Sequence, residues 1–385
     1  MKKFYNEFLK IYGKSDKNIS LYFCPGRVNL IGEHIDYNGG KVLPAALSIG
    51  IYGFIRERED NLIKVISMNI PNSIKIDIKS DLFFNKEDGW GNYIKGIIKY
   101  LKEDNFNIKG FDILLYSTLP DSSGLSSSAA LEVLMGFMFL DMSDYKNIDK
   151  KYLSMLGKKV ENKFLGINSG IMDQFSVAFG KKDNAILLNT DKLDYTYIPT
   201  NFGDYRLMIL NTNKKRGLGE SKYNERRKEC EEALNIIQEH KKIEHLCQAD
   251  IEDLEYLKDE KVLFKRAKHV IKENKRVYKS IEALNNNNNI KFFGEILNKS
   301  HESLKNDYEV TGKYLDCIVS IAQSHESCIG SRMTGAGFGG CAIALIDKKN
   351  INEFKNFVNR NYFDEMGLKC EIYEIKIEDG VKKLC

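Results

Sequence analysis

CPGRVNLIGEHIDYNGG, residues 24–40, crowds Arg27, Asn29, Glu33, His34, Asp36 and Asn38 between four glycines. An apolar Leu-Tyr-Phe run precedes it and KVLPAAL follows, so the charged cluster lies beside a strand-like segment. Two carboxylates, an imidazole and a guanidinium this close together describe either a solvated turn or a surface built to grip hydroxyls or phosphates. The rest of the chain has to decide between them.

With 385 residues, the chain is long enough for two domains with substantial cores or for one large one. Its 58 basic residues nearly balance 54 acidic ones, which gives no electrostatic footprint for a nucleic-acid partner. No apolar run approaches the roughly 20 residues of a membrane helix. The opening MKKFYNEFLKIYGKSDKN has its apolar residues interrupted by Asn, Glu and Lys, so it reads as a short amphipathic helix, not an export signal. Eight scattered cysteines without a C-x-x-C pair argue against zinc and against a disulfide framework, and for reduced thiols in the cytoplasm.

Short β-branched or aromatic segments at 49–56, 62–67, 74–78 and 111–116 predict strands, and GNYIKGIIKYLKE (91–103) has helical spacing. Helices are expected after residue 124 and over 171–179, with strands at 185–189 and 206–211. From about 221 to 325 the chain reads as mostly helical, and 285–289 (NNNNN) as a loop between two helices. Strands return at 341–346 and 370–377 around a helix near 350–360. Strands, then helices, then strands suggest an α+β protein of two lobes, 1–200 and 201–385.

Three further stretches could carry chemistry. In LPDSSGLSSSAALEVLMGFMFL (119–140), a Gly/Ser loop runs into an amphipathic helix. Its unpaired backbone N–H groups make either an anion site or a serine-capped helix start. It is not a Walker A motif, because no lysine follows the glycine. GSRMTGAGFGGCAIALI (330–346) formally matches the dinucleotide fingerprint, but an apolar strand follows where that fold needs a helix. A dinucleotide-dependent epimerase or dehydrogenase is therefore rejected in favour of a close-packed glycine hairpin. In ENKFLGINSGIMDQF (161–175), Asp173 follows a glycine turn in an apolar setting. It reads equally as a general base or as a first-turn aspartate complementing the helix dipole.

Together these stretches resemble the GHMP family of small-molecule kinases and, within it, the galactokinases. GRVNLIGEHIDYNGG is similar to their signature, PDSSGLSSSAALE to the phosphate-binding loop, and GSRMTGAGFGGC to the third motif; NSGIMDQF, NTNKKRGLGESKYNERRKECEEAL and SHESLKNDYEV extend the likeness. The resemblance implies a two-lobed GHMP fold, a ribosomal-protein-S5-like α/β lobe followed by a helix-rich α+β lobe, with the active site in the cleft between them. It implies MgATP-dependent phosphorylation of α-D-galactose at O1, the first committed step of the Leloir pathway. The matching sugar-contact positions are Arg27, Glu33, His34, Asp36, Gly170, Asp173 and Tyr223. Asp173 would orient or deprotonate O1, and Arg27 would stabilise the transferring phosphoryl group. Ser122, Ser123, Gly124, Leu125, Ser126, Ser127, Ser128 and Ala129 would wrap the ATP phosphates, with Trp90 and Tyr93 near the adenine; Trp90 reads equally as plain core. Ser128 and Glu161 would ligate Mg²⁺. Ser122 and Ile35 depart from the family pattern, which usually has glycine and threonine there. No obligate protein partner is implied. An N-acetylgalactosamine or arabinose kinase of the same family is the alternative; a non-catalytic galactose sensor fits less well, because such sensors lack the pair matched here by Ser128 and Ala129.

Overall fold

The computed structural model describes residues 2–120, 124–214, 219–285 and 289–385. Six strands lie before residue 120: β1 (Ile19–Asn29), β2 (Lys41–Val42), β3 (Pro44–Glu57), β4 (Leu62–Ser67), β5 (Ser73–Asp77) and β6 (Phe111–Ser117). Then come β7 (Asn184–Asn189), β8 (Tyr195–Pro199), β9 (Tyr205–Asn211), β10 (Cys328–Met333), β11 (Cys341–Asp347), β12 (Glu371–Ile375) and β13 (Lys382–Lys383). They form a six-stranded sheet of order β13-β1-β3-β6-β4-β5, a four-stranded sheet β10-β11-β9-β12 and a small sheet β2-β7-β8.

Helix α1 (Lys2–Tyr12) lays Phe8 on one face of the large sheet, against Leu21, Phe54 and Leu114. The other face is covered by α2 (Gly91–Glu103), α3 (Ser127–Met142), α4 (Lys150–Lys159) and α5 (Met172–Phe179), of which α3 and α5 lie directly on β1 and β3. Helix α3 is apolar nearly all round, and only this two-sided burial keeps such a helix from water. The second half supplies α6 (Gly219–Gln238), α7 (Lys261–Asn285), α8 (Ile290–Ser303), α9 (Gly312–Ser324) and α10 (Ile351–Met366). A single hydrophobic core runs through both halves.

Two sequence expectations change. The charged stretch at 24–40 does not begin as a turn: β1 continues through Asn29, with a register shift between Pro25 and Arg27 in its pairing with β3. Pro25 has no N–H to give a ladder, so the strand bulges there and re-aims the residues that follow. The division at 200/201 is also crossed by the end of the chain. Lys382 and Lys383 pair with Phe23 and Tyr22 of β1, giving that edge strand a partner inside the first lobe. The strands at 62–67 and 111–116, and the helix at 91–103, lie where the sequence puts them.

The glycine-rich third motif is a hairpin, β10 pairing with β11. At Gly294 and Gly330 it meets α8 backbone to backbone: a Cβ on Gly330 would stand 2.3 Å from the Gly294 carbonyl oxygen, and one on Gly294 the same 2.3 Å from that of Ile329. Alanine at 294 would favour the isolated helix by about 1 kcal/mol. The clash with backbone outweighs that gain, so Gly294→Ala is expected to destabilise the fold by a net ~1–3 kcal/mol. Thermal unfolding tests this; an unchanged or raised midpoint would show that the crossing relaxes freely.

Candidate active site

A cavity of about 450 Å³ opens where β1, the segment 30–40, the turn after α4, the start of α5, helix α6 and the β10–β11 turn converge. Arg27, Glu33, His34, Asp36, Gly170, Asp173 and Tyr223 all line it, together with Glu161, Asn168 and Phe338.

The bulge in β1 directs Arg27 at Asp173. The guanidinium forks onto the carboxylate, Nε donating to Oδ1 at 2.9 Å and Nη2 to Oδ2 at 2.8 Å. Its Nη1 donates to the Gly124 carbonyl at 2.7 Å, and the Arg27 backbone N–H to the Leu125 carbonyl at 3.1 Å. The Gly/Ser loop is thereby tied to the strand. Three of five guanidinium protons are used, which leaves two. Ser126, held at φ +62°, adds its hydroxyl to Asp173 Oδ2, so Oδ1, with Arg27 Nε as its one donor among the described residues, keeps a lone pair to spare. The Asp173 side chain is 32% exposed against 6% for Arg27. An acceptor open to the cavity is thus backed by a buried cation.

Glu33 and His34 line the same cavity, yet their polar atoms are already engaged. Glu33 Oε1 accepts from the Gly335 N–H at 2.8 Å and lies 3.1 Å from Thr334 Oγ1. Its Oε2 faces Arg332 Nη2 at 2.8 Å and accepts from Asn29. Burial pushes the Glu33 carboxyl up, and the Arg332 charge opposes that rise. His34 contacts the Ala336 carbonyl through Nε2 at 3.2 Å and the Tyr37 hydroxyl through Nδ1 at 2.8 Å. Burial lowers its pKa to about 3, so the ring is neutral. These two residues join the first motif to the third.

Asp36 and Tyr223 keep more capacity. Burial, and then the Asp173 charge, push Asp36 up to about 6. A Cβ on Gly170 would stand 2.5 Å from Asp36 Oδ2, so glycine there leaves the carboxylate its room. Tyr223 is pushed well up by burial and then by the Asp36 charge; its ring lies 5.7 Å from His34 and 5.4 Å from Tyr37.

Glu161 stands on a π-helical turn, Val160–Phe164, that extends α4; such wide turns recur at functional sites. Its Oε1 accepts from Ser128 Oγ at 3.2 Å and its Oε2 from Gln174 Nε2 at 3.0 Å, while Gln174 also donates to the buried Glu132. Burial raises the Glu161 carboxyl. Ser127 and Ser128 open α3, where the first N–H groups have no partner within the helix, and Ala129 is buried behind them. Ser122 and Ser123 lie outside the described residues. Trp90 and Tyr93, at the start of α2, pack against the main core and do not line the cavity; the buried Trp90 indole nitrogen has no partner among the described residues.

Sequence reasoning passed over Arg332, Thr334, Tyr37, Tyr308 and Gln174. All stand inside the quoted motifs, but no local pattern marks them, because their partners lie far away in the chain: Thr334 meets Glu33 and Tyr308 meets Tyr37. Gly337 shows why glycine recurs there: its φ is +78°, and a Cβ would lie 2.2 Å from the Val310 carbonyl oxygen.

Sequence models of known families match three parts of the chain: the galactokinase galactose-binding signature at residues 6–57, the GHMP kinases N terminal domain at 92–181 and the GHMP kinases C terminal region at 266–364. A galactokinase of Clostridium tetani is 48% identical over 382 residues, spanning 98% of this chain and 96% of its own length. One from Staphylococcus carnosus is 49% identical over 365 residues, 94% of each chain. The chain belongs to the galactokinase family.

The crystal structure of Lactococcus lactis galactokinase complexed with galactose matches with a TM-score of 0.92 at 42% identity, over 100% of this chain and 99% of that one. A mevalonate kinase matches with a TM-score of 0.66 at 21% identity, a likeness of fold alone. The fold is therefore that of the GHMP kinases. The galactokinase signature at 6–57 contains Arg27, Glu33, His34 and Asp36, and the GHMP N-terminal match at 92–181 contains Ser128, Glu161 and Asp173.

Proposed function

We propose that this galactose kinase transfers the terminal phosphoryl group of ATP to O1 of α-D-galactose in the cavity at Asp173, giving the galactose 1-phosphate that enters the Leloir pathway. The paired Arg27 and Asp173 carry this reading, because they join the cavity wall to the Gly/Ser loop in one hydrogen-bonded unit.

The free lone pair of Asp173 would accept the O1 proton and aim the oxygen, and phosphoryl transfer through a loose transition state asks mainly for that positioning. The two remaining Arg27 protons would face charge gathering on the transferring group; arginines in this role contribute about 10³–10⁵ in rate elsewhere. Asp36 and Tyr223 would pair sugar hydroxyls, and a site built on such pairing rejects a mismatched analogue by about 10⁴-fold or more. The N–H groups at the start of α3, which have no partner within the helix, would hold phosphate oxygens, with Trp90 and Tyr93 on the adenine side. Ser128 Oγ and Glu161 Oε1, hard oxygens 3.2 Å apart, suit Mg²⁺, which takes few protein ligands and would neutralise phosphate charge. We place the enzyme in the cytoplasm, where its eight free cysteines stay thiols; no helix among the described residues is long and apolar enough to cross a membrane.

A coupled assay over galactose, N-acetylgalactosamine, arabinose and glucose tests the substrate. Galactose is expected to have the highest kcat/KM, and a better rival would transfer the assignment to that sugar. Asp173→Asn is expected to leave galactose binding within about tenfold while turnover falls about 10²–10⁴-fold. Full turnover would remove the aspartate from its role. Below about pH 6 Asp36 takes up a proton and loses its charge as an acceptor. The kcat/KM for galactose should therefore fall as pH drops through that value, and Asp36→Asn should abolish this acid limb. A limb unchanged in the variant would belong to another group.

A further inference from the structure

Behind the cavity lie a half-buried tyrosine, Tyr37, a buried one, Tyr308, and a buried thiol, Cys230, that the proposed chemistry does not use. Tyr37 OH stands 2.8 Å from His34 Nδ1, Tyr308 OH 2.8 Å from Tyr37 OH, and Cys230 Sγ 3.1 Å from Tyr308 OH. They come from the first motif, from a π-helical turn (Leu304–Tyr308) that ends α8, and from α6.

The directions of these bonds follow from one end. The Ala336 carbonyl can only accept, so His34 Nε2 carries the proton that faces it at 3.2 Å. A neutral imidazole has one N–H, which leaves Nδ1 an acceptor, and Tyr37 must donate to it. The single Tyr37 proton is then committed, so Tyr308 donates to Tyr37. The Tyr308 proton is committed in turn, so the Cys230 thiol donates to Tyr308. His34 needs such a restraint: at φ +62° it holds a backbone conformation that few side-chain-bearing residues adopt, and Asn38 Nδ2 braces its carbonyl at 2.9 Å.

We infer that Tyr37, Tyr308 and Cys230 are positioning residues of the sugar site, a one-way hydrogen-bond chain that locks His34 to the Ala336 carbonyl and so holds the glycine turn as the cavity wall. This rests on the reading of the cavity as the galactose site. The chain acts on the sugar through His34 and the Gly335–Phe338 turn, both of which line the cavity. Among the described residues it makes no hydrogen bond to the Gly/Ser loop, so its loss should weaken sugar binding and spare the nucleotide.

Two measurements test it. Long-range ¹H–¹⁵N spectra of the wild-type protein near neutral pH, with His34→Gln for assignment, should show His34 protonated at Nε2 and bare at Nδ1. A proton on Nδ1 overturns the chain. In steady-state kinetics Tyr37→Phe, which leaves Nδ1 without a donor, should raise the galactose KM about tenfold, with kcat and the ATP KM within about twofold. Tyr308→Phe should do less, Cys230→Ala least, and Cys230→Ser should match wild type. Both KM values rising together, or Cys230→Ala exceeding Tyr37→Phe, would reduce the cluster to ordinary core. If Tyr37→Phe does not fold, the spectrum and Tyr308→Phe still decide. A wild-type enzyme that ignores galactose would sink the substrate assignment while leaving the His34 tautomer measurable, so the two failures are distinct.

Discussion

The grip of Arg27 organises everything around the cavity. One guanidinium, buried at the bulge in β1, reaches the Asp173 carboxylate on α5 and the Gly124 carbonyl of the loop before α3. A planar fork is the right instrument, because two parallel bonds fix the angle of the carboxylate as well as its distance. Lysine would supply the charge without the orientation. Three separate segments therefore meet at one point, and the large sheet holds that point still because α3 and α5 both lie on β1 and β3.

A second constraint acts between the lobes. The first motif is built on a first-lobe strand, but most of what pins it comes from the second half of the chain. Arg332, fully buried on β10, reaches the Leu30 carbonyl at 2.8 Å as well as Glu33. Glu273 on α7 accepts the Gly32 N–H at 3.0 Å, and His269 contacts the Glu33 carbonyl at 3.1 Å. Buried ionic groups of this kind add little net stability over apolar packing, yet one left without its partner is costly. They specify one arrangement of the two halves, which is what a cleft shared between them requires. The C-terminal segment adds a strap, crossing to pair with β1 and passing close enough to α5 for the Gly380 N–H to reach the Gly180 carbonyl at 2.8 Å.

Within this frame the cavity residues fall into two kinds. Glu33 and His34 spend their polar atoms on the joint between the first and third motifs, whereas Asp173, though held by Arg27 and Ser126, keeps acceptor capacity at Oδ1, and Asp36 and Tyr223 line the same cavity. The charged cluster of residues 24–40 is thus neither a plain solvated turn nor a uniform gripping surface. Part of it is the joint of the molecule and part of it is the working wall.

Local pattern alone determined a good deal: the helix at 91–103, the strand at 62–67, the glycine hairpin in place of a dinucleotide loop, and the motifs that mark the family. Each is written in consecutive residues, and periodicity or a following strand is enough to read it. What only the tertiary structure decided is which polar atoms are free. The Gly335 N–H that occupies Glu33 lies 302 positions along the chain, and the Arg27–Asp173 pair spans 146. The return of β13 to the first sheet is of the same kind, since a two-residue strand carries no periodicity to read. A hydrogen bond is settled by distance and angle in space, and neither is encoded in the spacing of letters.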